Sequence, residues 1–282
     1  MTNGSLLSRL LPGRRRRHPT VAVVRCFGVI GGGGRARLNI ANLAAPIEHA
    51  FRVRGVKAVA LDINSPGGSP VQSALIYRRI RALAAEKKVP VFAFAQDVAA
   101  SGGYWLACAG DEIYADENSV VGSIGVISGG FGLQDFISRF GIERRMHTSG
   151  ESKSFLDPFL PEKEEEVERL KVLQGDIHDS FKSLVRDRRQ GKLKGEEAGL
   201  FSGEFWTGQR ALDLGLIDGL GDLRGIMRER FGDKVRFRVF GAESGWVRRR
   251  LGIARLEPPG LPWAEDLLGA VEARALWHRY GL

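Results

Sequence analysis

The sequence predicts an α/β fold with parallel strands, and three observations carry that expectation. Short β-branched, apolar runs alternate with amphipathic stretches of helical spacing. Gly-rich turns follow the second and third of those runs, at residues 64–69 and 100–103. The chain of 282 residues is 43% apolar, enough to bury a substantial core.

The elements follow in order. Residues 20–30 read as a first strand, broken by Gly31 to Gly34. Those four glycines lack a following Lys-Ser/Thr, so a phosphate loop is a poor reading and a turn a good one. Residues 39–52 have helical spacing, with Ile40, Leu43, Ile47 and Phe51 on one side. Residues 56–63 form a second strand, ending in the turn Asn64-Ser-Pro-Gly-Gly-Ser69. A helix over 71–85 leads to a third strand over 89–95, and then to the stretch around Ser101. Further strands are expected at 112–115, 143–148 and 235–240, and helices at 131–140 and 161–189. In the last helix Val167, Leu170, Leu173, Ile177, Phe181 and Leu184 mark a stripe to be buried. Such alternation implies right-handed crossovers, and the strand ends bearing the glycine turns form the edge where ligands bind.

Charge and cysteines narrow the function classes. The net charge is +9, but residues 1–20 alone contribute +5 through five arginines and no acids. Residues 1–19 are therefore expected to be a basic, disordered arm, residues 20–241 the folded domain, and residues 242–282 a tail with an amphipathic helix. Cys26 and Cys108 sit in apolar runs without ligand or disulfide spacing, so buried thiols are expected. No run approaches 18 apolar residues. A cytoplasmic protein follows, one that Leu6, Leu7, Leu10, Leu11 and Arg14 to Arg17 can hold at the inner face of an anionic membrane.

Asp97-Val-Ala-Ala-Ser-Gly-Gly-Tyr104 is the stretch with chemistry. A serine between a strand and a helix has its hydroxyl near free N–H groups that favour an oxyanion. The same residue can be a plain helix N-cap, and on this stretch alone both readings stand.

Four ordered motifs then match together: Asn64-Ser-Pro-Gly-Gly68, Ala99-Ala-Ser-Gly-Gly-Tyr104, Gly122-Ser-Ile-Gly-Val126, and Gly150-Glu-Ser-Lys153 with Asp157-Pro-Phe159. Over about residues 20–240 the chain resembles the signal peptide peptidase A family, serine–lysine proteases of the Clp/crotonase-type fold. The resemblance implies repeated β-β-α units, Ser101 as nucleophile and Lys153 as general base. It implies an oxyanion hole from the N–H groups of Gly68 and Gly102, and Ser123 hydrogen-bonding the lysine amine. It departs from the family in lacking a transmembrane anchor and in Ser152, where many relatives have Tyr.

The chemistry is consistent. A serine hydroxyl needs a base within reach. A lysine serves as base when neutral, a form that burial favours, and Phe155, Leu156 and Phe159 stand close by in sequence to supply it. No metal and no cofactor is called for. The expected partners are a peptide or protein substrate and further copies of the chain, with no nucleic acid. His147 and His178 read as structural, and Asp62 and Asp97 as caps at strand ends. Two other functions remain in view. A crotonase-type acyl-CoA hydratase or isomerase would need an acid near the glycine turn, and a non-catalytic membrane-edge scaffold would tolerate loss of Ser101.

Overall fold

A computed structural model describes residues 18–31, 38–241, 271 and 274–281. The arginine run and the glycine run at 32–34 lie outside the described residues, as does most of the tail.

The centre is a mostly parallel sheet. β1 (Thr20–Phe27), β2 (Val56–Ser65) and β3 (Val91–Ala100) lie side by side, and β8 (Arg236–Phe240) flanks β1. β3 is twice the usual strand length and serves two branches. Its first half, Phe92 to Ala95, pairs with β4 (Glu112–Ala115). Its second half, Val98 to Ala100, pairs with β5 (Val120–Gly122). β6 (Phe205–Thr207) closes that branch antiparallel to β5, and β7 (Gly219–Leu220) closes the other beside β4. β1 and β2 are apolar almost throughout because both faces of the sheet are covered.

One face carries Val24, Cys26, Leu61, Ile63, Ala93 and Ala99. It is covered by α1 (Ile40–Phe51), α2 (Pro70–Lys87) and α3 (Gly102–Ala107). α1 is capped by Asn39 and α2 by Ser69, each side chain accepting from the backbone N–H three residues on. The other face carries Val21, Val23, Ala60, Phe92 and Phe94, covered by α8 (Leu223–Phe231). Between α3 and α8 the chain forms the short helices α4 (Gln134–Arg139), α6 (Glu197–Leu200) and α7 (Gly208–Asp213) and the long α5 (Glu164–Arg188).

Three expectations need correction. The third strand does not stop at 95 but runs to Ala100. Asn64 makes this possible: its amide donates to Asp97 at 2.6 Å and its carbonyl accepts from the Val98 N–H at 3.2 Å. Those bonds bridge the register shift where β3 passes from one branch to the other. Residues 143–148 are not a strand. No neighbouring strand pairs with them, and Arg144 and Arg145 instead form ion pairs with Asp157 and Glu143. Helix α5 (Glu164–Arg188) begins after Pro161, and only the last part of its apolar stripe is buried. Phe181 and Val185 are covered, Phe181 stacking on Trp105 at 4.7 Å, whereas Leu173 and Ile177 face solvent.

α5 is anchored at its C-terminal end. Arg189, almost fully buried, donates to the carbonyl of Gly215 and to Asp218 at 2.6 Å. Asp218 also accepts from Lys192 and from the Ile113 N–H of β4.

Candidate active site

Ser101 occupies the one-residue junction between β3 and α3. Its backbone adopts φ 51° and ψ −120°, a conformation costing a non-glycine residue about 1–3 kcal/mol. Two backbone bonds hold it there. Its N–H donates to the Gly122 carbonyl at 2.8 Å, and its carbonyl accepts from Trp105 at 3.0 Å. The side chain makes no capping bond to α3. The N-cap reading is therefore set aside: the hydroxyl is not spent on the helix it precedes.

The turn 64–69 lies against this serine. Gly67 and Gly68 have φ of 100° and 137°, a region that side chains rarely adopt. A Cβ on Gly67 would stand 2.8 Å from the Ser101 Cβ and from the Gly102 nitrogen. A Cβ on Gly68 would collide with the Ile30 carbonyl. Ile30 pins the turn from outside, donating to the Gly67 carbonyl and accepting from Ser69, both at 2.8 Å. The N–H groups of Gly68 and Gly102 have no hydrogen-bond acceptor among the described residues. Two unpaired backbone donors beside an unpaired hydroxyl are what an acyl-transfer site requires.

Ser123 is buried, also at positive φ (53°), just after the carbonyl that holds Ser101. Its N–H donates to Glu204 at 2.7 Å. Its Oγ faces the hydroxyl of Tyr280, 3.3 Å away.

Lys153 closes a single 3-10 turn (Glu151–Lys153) in the long connection before α5. It is exposed; its backbone N–H donates to the Gly150 carbonyl at 3.2 Å, and its amine makes no hydrogen bond or ion pair among the described residues. Phe155 is more than one-third exposed. The apolar neighbours thus do not bury the amine within the single chain. Ser101, Gly68, Gly102 and Ser123 are brought together, and no bond joins Lys153 to them.

Other candidates resolve differently. His178 bonds the Ile124 carbonyl at 3.1 Å, a structural role. Asp97 and Asp62 are not helix caps. Asp97 is held by Asn64 at the β3 crossover. Asp62 accepts from Gln96 at 2.7 Å with Arg25 near, and burial raises its carboxyl above the ordinary range. The acid a hydratase would need is thus engaged elsewhere. Burial pushes the thiols of Cys26 and Cys108 up to about 12, which leaves both inert. Sequence reasoning missed Tyr280, whose role depends on a long return of the chain that no local pattern marks.

Comparison with known proteins gives a consistent frame. The family model described as Peptidase family S49 matches residues 83–231. A curated protein named Na(+)/H(+) antiporter NhaA, from Brucella abortus (strain 2308), is 50% identical over 288 residues. The match takes in 98% of this chain and 39% of that protein. Putative signal peptide peptidase SppA from Enterococcus faecium is 29% identical over 200 residues, 69% of this chain and 58% of that protein. The chain thus spans well under two-thirds of either relative. Among the described residues no helix is long and apolar enough to cross a membrane. A solved membrane-bound stomatin-specific protease, as a lysine-to-alanine variant with a substrate peptide, superposes with a TM-score of 0.51 at 15% identity. It covers 80% of this chain and 94% of that one. That likeness establishes the fold, the Clp/crotonase type that the sequence motifs led us to expect.

Proposed function

The chain belongs to peptidase family S49, and from that premise we propose that it is a serine endopeptidase that cleaves peptides at Ser101 with Lys153 as general base. The observation that carries the reading is the strained, uncapped Ser101 with the free N–H groups of Gly68 and Gly102 beside it.

The Ser101 Oγ attacks the scissile carbonyl while the Lys153 amine takes its proton. The oxyanion sits between the two glycine N–H groups, each worth on the order of 10²–10³ in rate. The C–N bond breaks as the protonated lysine returns a proton to the leaving amine. Water then hydrolyses the ester by the same route. Lys153 has to leave its exposed position to do this and dock at Ser123. The motif around it and the solved protease, with its lysine removed and a peptide bound, support the assignment.

Substrate preference follows from the wall beside Ser101. Residues 120–132 contain no charge, and Val121 and Ile124 are buried there. An unpaired charge would be costly in such surroundings, so small or aliphatic residues before the cut are favoured, as in signal-peptide remnants and unfolded segments. Homo-oligomers are proposed from the bare aromatics Phe131, Phe136 and Phe140, which several copies could cover. Peripheral membrane contact through residues 1–18 is a further proposal. It is overturned if deleting them leaves vesicle co-sedimentation unchanged.

Fluorophosphonate labelling and peptide-ester turnover test the dyad. Ser101→Ala should abolish both, and Lys153→Ala should lower turnover by a similar factor, since the pair acts as a unit. Near-normal turnover of Lys153→Ala on the ester would overturn the dyad.

A further inference from the structure

A cavity opens on the α8 face of the sheet, the face away from α1, α2 and α3. Its volume is about 370 Å³, within the range of small-ligand sites. β1, β2 and β3 bring Arg25, Asp62 and Gln96 to it from their C-terminal halves, and Arg224 stands on the first turn of α8. In an open α/β sheet that end of the strands is where ligands bind. Val23, Phe94, Phe237 and Val239 give the cavity an apolar floor.

The polar groups divide into engaged and free. Asp222 accepts from the N–H groups of Arg224 and Gly225 and so caps α8. Asp116 accepts from Asn118. Asp62 Oδ1 accepts from Gln96 at 2.7 Å. Two cations and one oxygen stay free. Arg25 Nε is buried without a hydrogen-bond acceptor, because Asp62 Oδ2 stands 4.0 Å away, too far for a hydrogen bond. The Arg25 side chain is still 37% exposed, so a ligand can reach it. The Arg224 guanidinium lies over the Phe237 ring at 5.1 Å and has no ion pair among the described residues. Asp62 Oδ2 accepts no hydrogen bond among them either.

Two guanidiniums suit an anion, and the free oxygen of Asp62 decides which kind. A phosphate would set its charge against that carboxyl. A carboxylate with an N–H or ammonium donor beside it satisfies both, since arginine only donates and an ionised carboxyl only accepts. An α-amino acid carries that pair on one carbon, and so does the last residue of a peptide. The floor suits an apolar side chain and would be costly to an unpaired charge. We propose that this cavity binds the α-carboxylate end of an apolar amino acid, free or at the C-terminus of a peptide, with Arg25 and Arg224 on the carboxylate and Asp62 on the nitrogen. The site is independent of the dyad reading, because none of these side chains is bonded to Ser101.

The test titrates the full-length chain with L-leucine, with alanyl-alanyl-leucine and with leucinamide, which lacks the carboxylate. Calorimetry reads affinity, and the Arg25 Nε–H resonance reads location. L-leucine, the tripeptide or both should bind saturably and shift that resonance, and leucinamide should bind at least about tenfold more weakly. Binding of leucine alone identifies a free amino acid as the ligand, and binding of the tripeptide alone identifies a peptide end. Arg224→Gln, at an exposed position, should weaken binding about tenfold with the thermal midpoint unchanged. Full affinity in both Arg224→Gln and Arg25→Gln, each folded, would overturn the proposal. So would binding without a shift at Arg25, leucinamide or acetate binding as tightly as leucine, or no binding of either carboxylate.

Discussion

Gly68 has no room for a side chain. Its φ of 137° and the Ile30 carbonyl, which stands where a Cβ would go, leave no space for a methyl group. Gly68→Ala should therefore displace one proposed oxyanion donor and lower kcat about 10²-fold or more. Ser69→Ala, at the very next residue, removes only the α2 cap and should cost about 1 kcal/mol of stability with turnover nearly intact. Comparing kcat with the thermal midpoint for the two variants separates site from scaffold. Asp218 makes a second single-residue prediction. Burial would raise its carboxyl, but hydrogen bonds from Arg189 and Lys192 outweigh that and hold it below the ordinary range. A depressed carboxyl stabilises the fold above its unfolded value, near pH 3.9, and that stability is lost as pH falls through the folded value. Asp218→Asn should flatten the fall in thermal midpoint below about pH 4. Asp218→Ala should cost about 3–5 kcal/mol, because it leaves Arg189 buried and charged.

Among the elements, β3 decides where Ser101 sits. It spans two branches of the sheet, and Asn64 bridges the change of register. Asn64→Ala leaves the Val98 N–H without its acceptor, a loss of about 1–3 kcal/mol. Since Ser101 follows only three residues later, turnover should fall with stability, and denaturant titration beside steady-state kinetics will show both. Phe181→Ala should cost about 3–5 kcal/mol by unstacking α5 from Trp105. These elements were legible in sequence where burial alone shapes the pattern. β1, β2, α1 and α2 fall within two or three residues of the expectation. β3 was cut short because Gln96 and Asp97 interrupt its apolar run, and the reason they are tolerated lies in a partner 33 residues away. The segment 143–148 has strand-like composition yet no neighbour to pair with, and composition cannot supply one.

At the scale of the whole molecule, the chain divides into a covered half and an uncovered one. The sheet and its helices are buried, whereas Ile127, Phe131, Phe136, Phe140, Ile142, Val172 and Leu173 are all bare to solvent. Isolated surface hydrophobics are ordinary, but aromatics gathered between 131 and 142 beside the exposed face of α5 are not. Sedimentation should show concentration-dependent self-association, and Phe136→Glu with Phe140→Glu should shift it towards monomer while leaving the folding free energy within about 0.5 kcal/mol of the parent. A single sedimenting species unaffected by those changes would remove the oligomer proposal. The same division explains why the site was legible in part. Ser101, Gly68, Gly102 and Ser123 belong to the covered half, and their motifs translate directly into positions. Lys153 belongs to the uncovered half, where sequence names the residue but not the place it will occupy.

That contrast bears on how such an enzyme can diversify. The turn 66–68 and the serine touch through backbone atoms, with glycine on both sides of the contact, so almost no substitution there is silent. Variation in what is cut must therefore arise elsewhere, in residues 127–143, which are mostly exposed and pair with no strand. A designer seeking a new cleavage preference would leave the surroundings of the proposed nucleophile alone and build the library there.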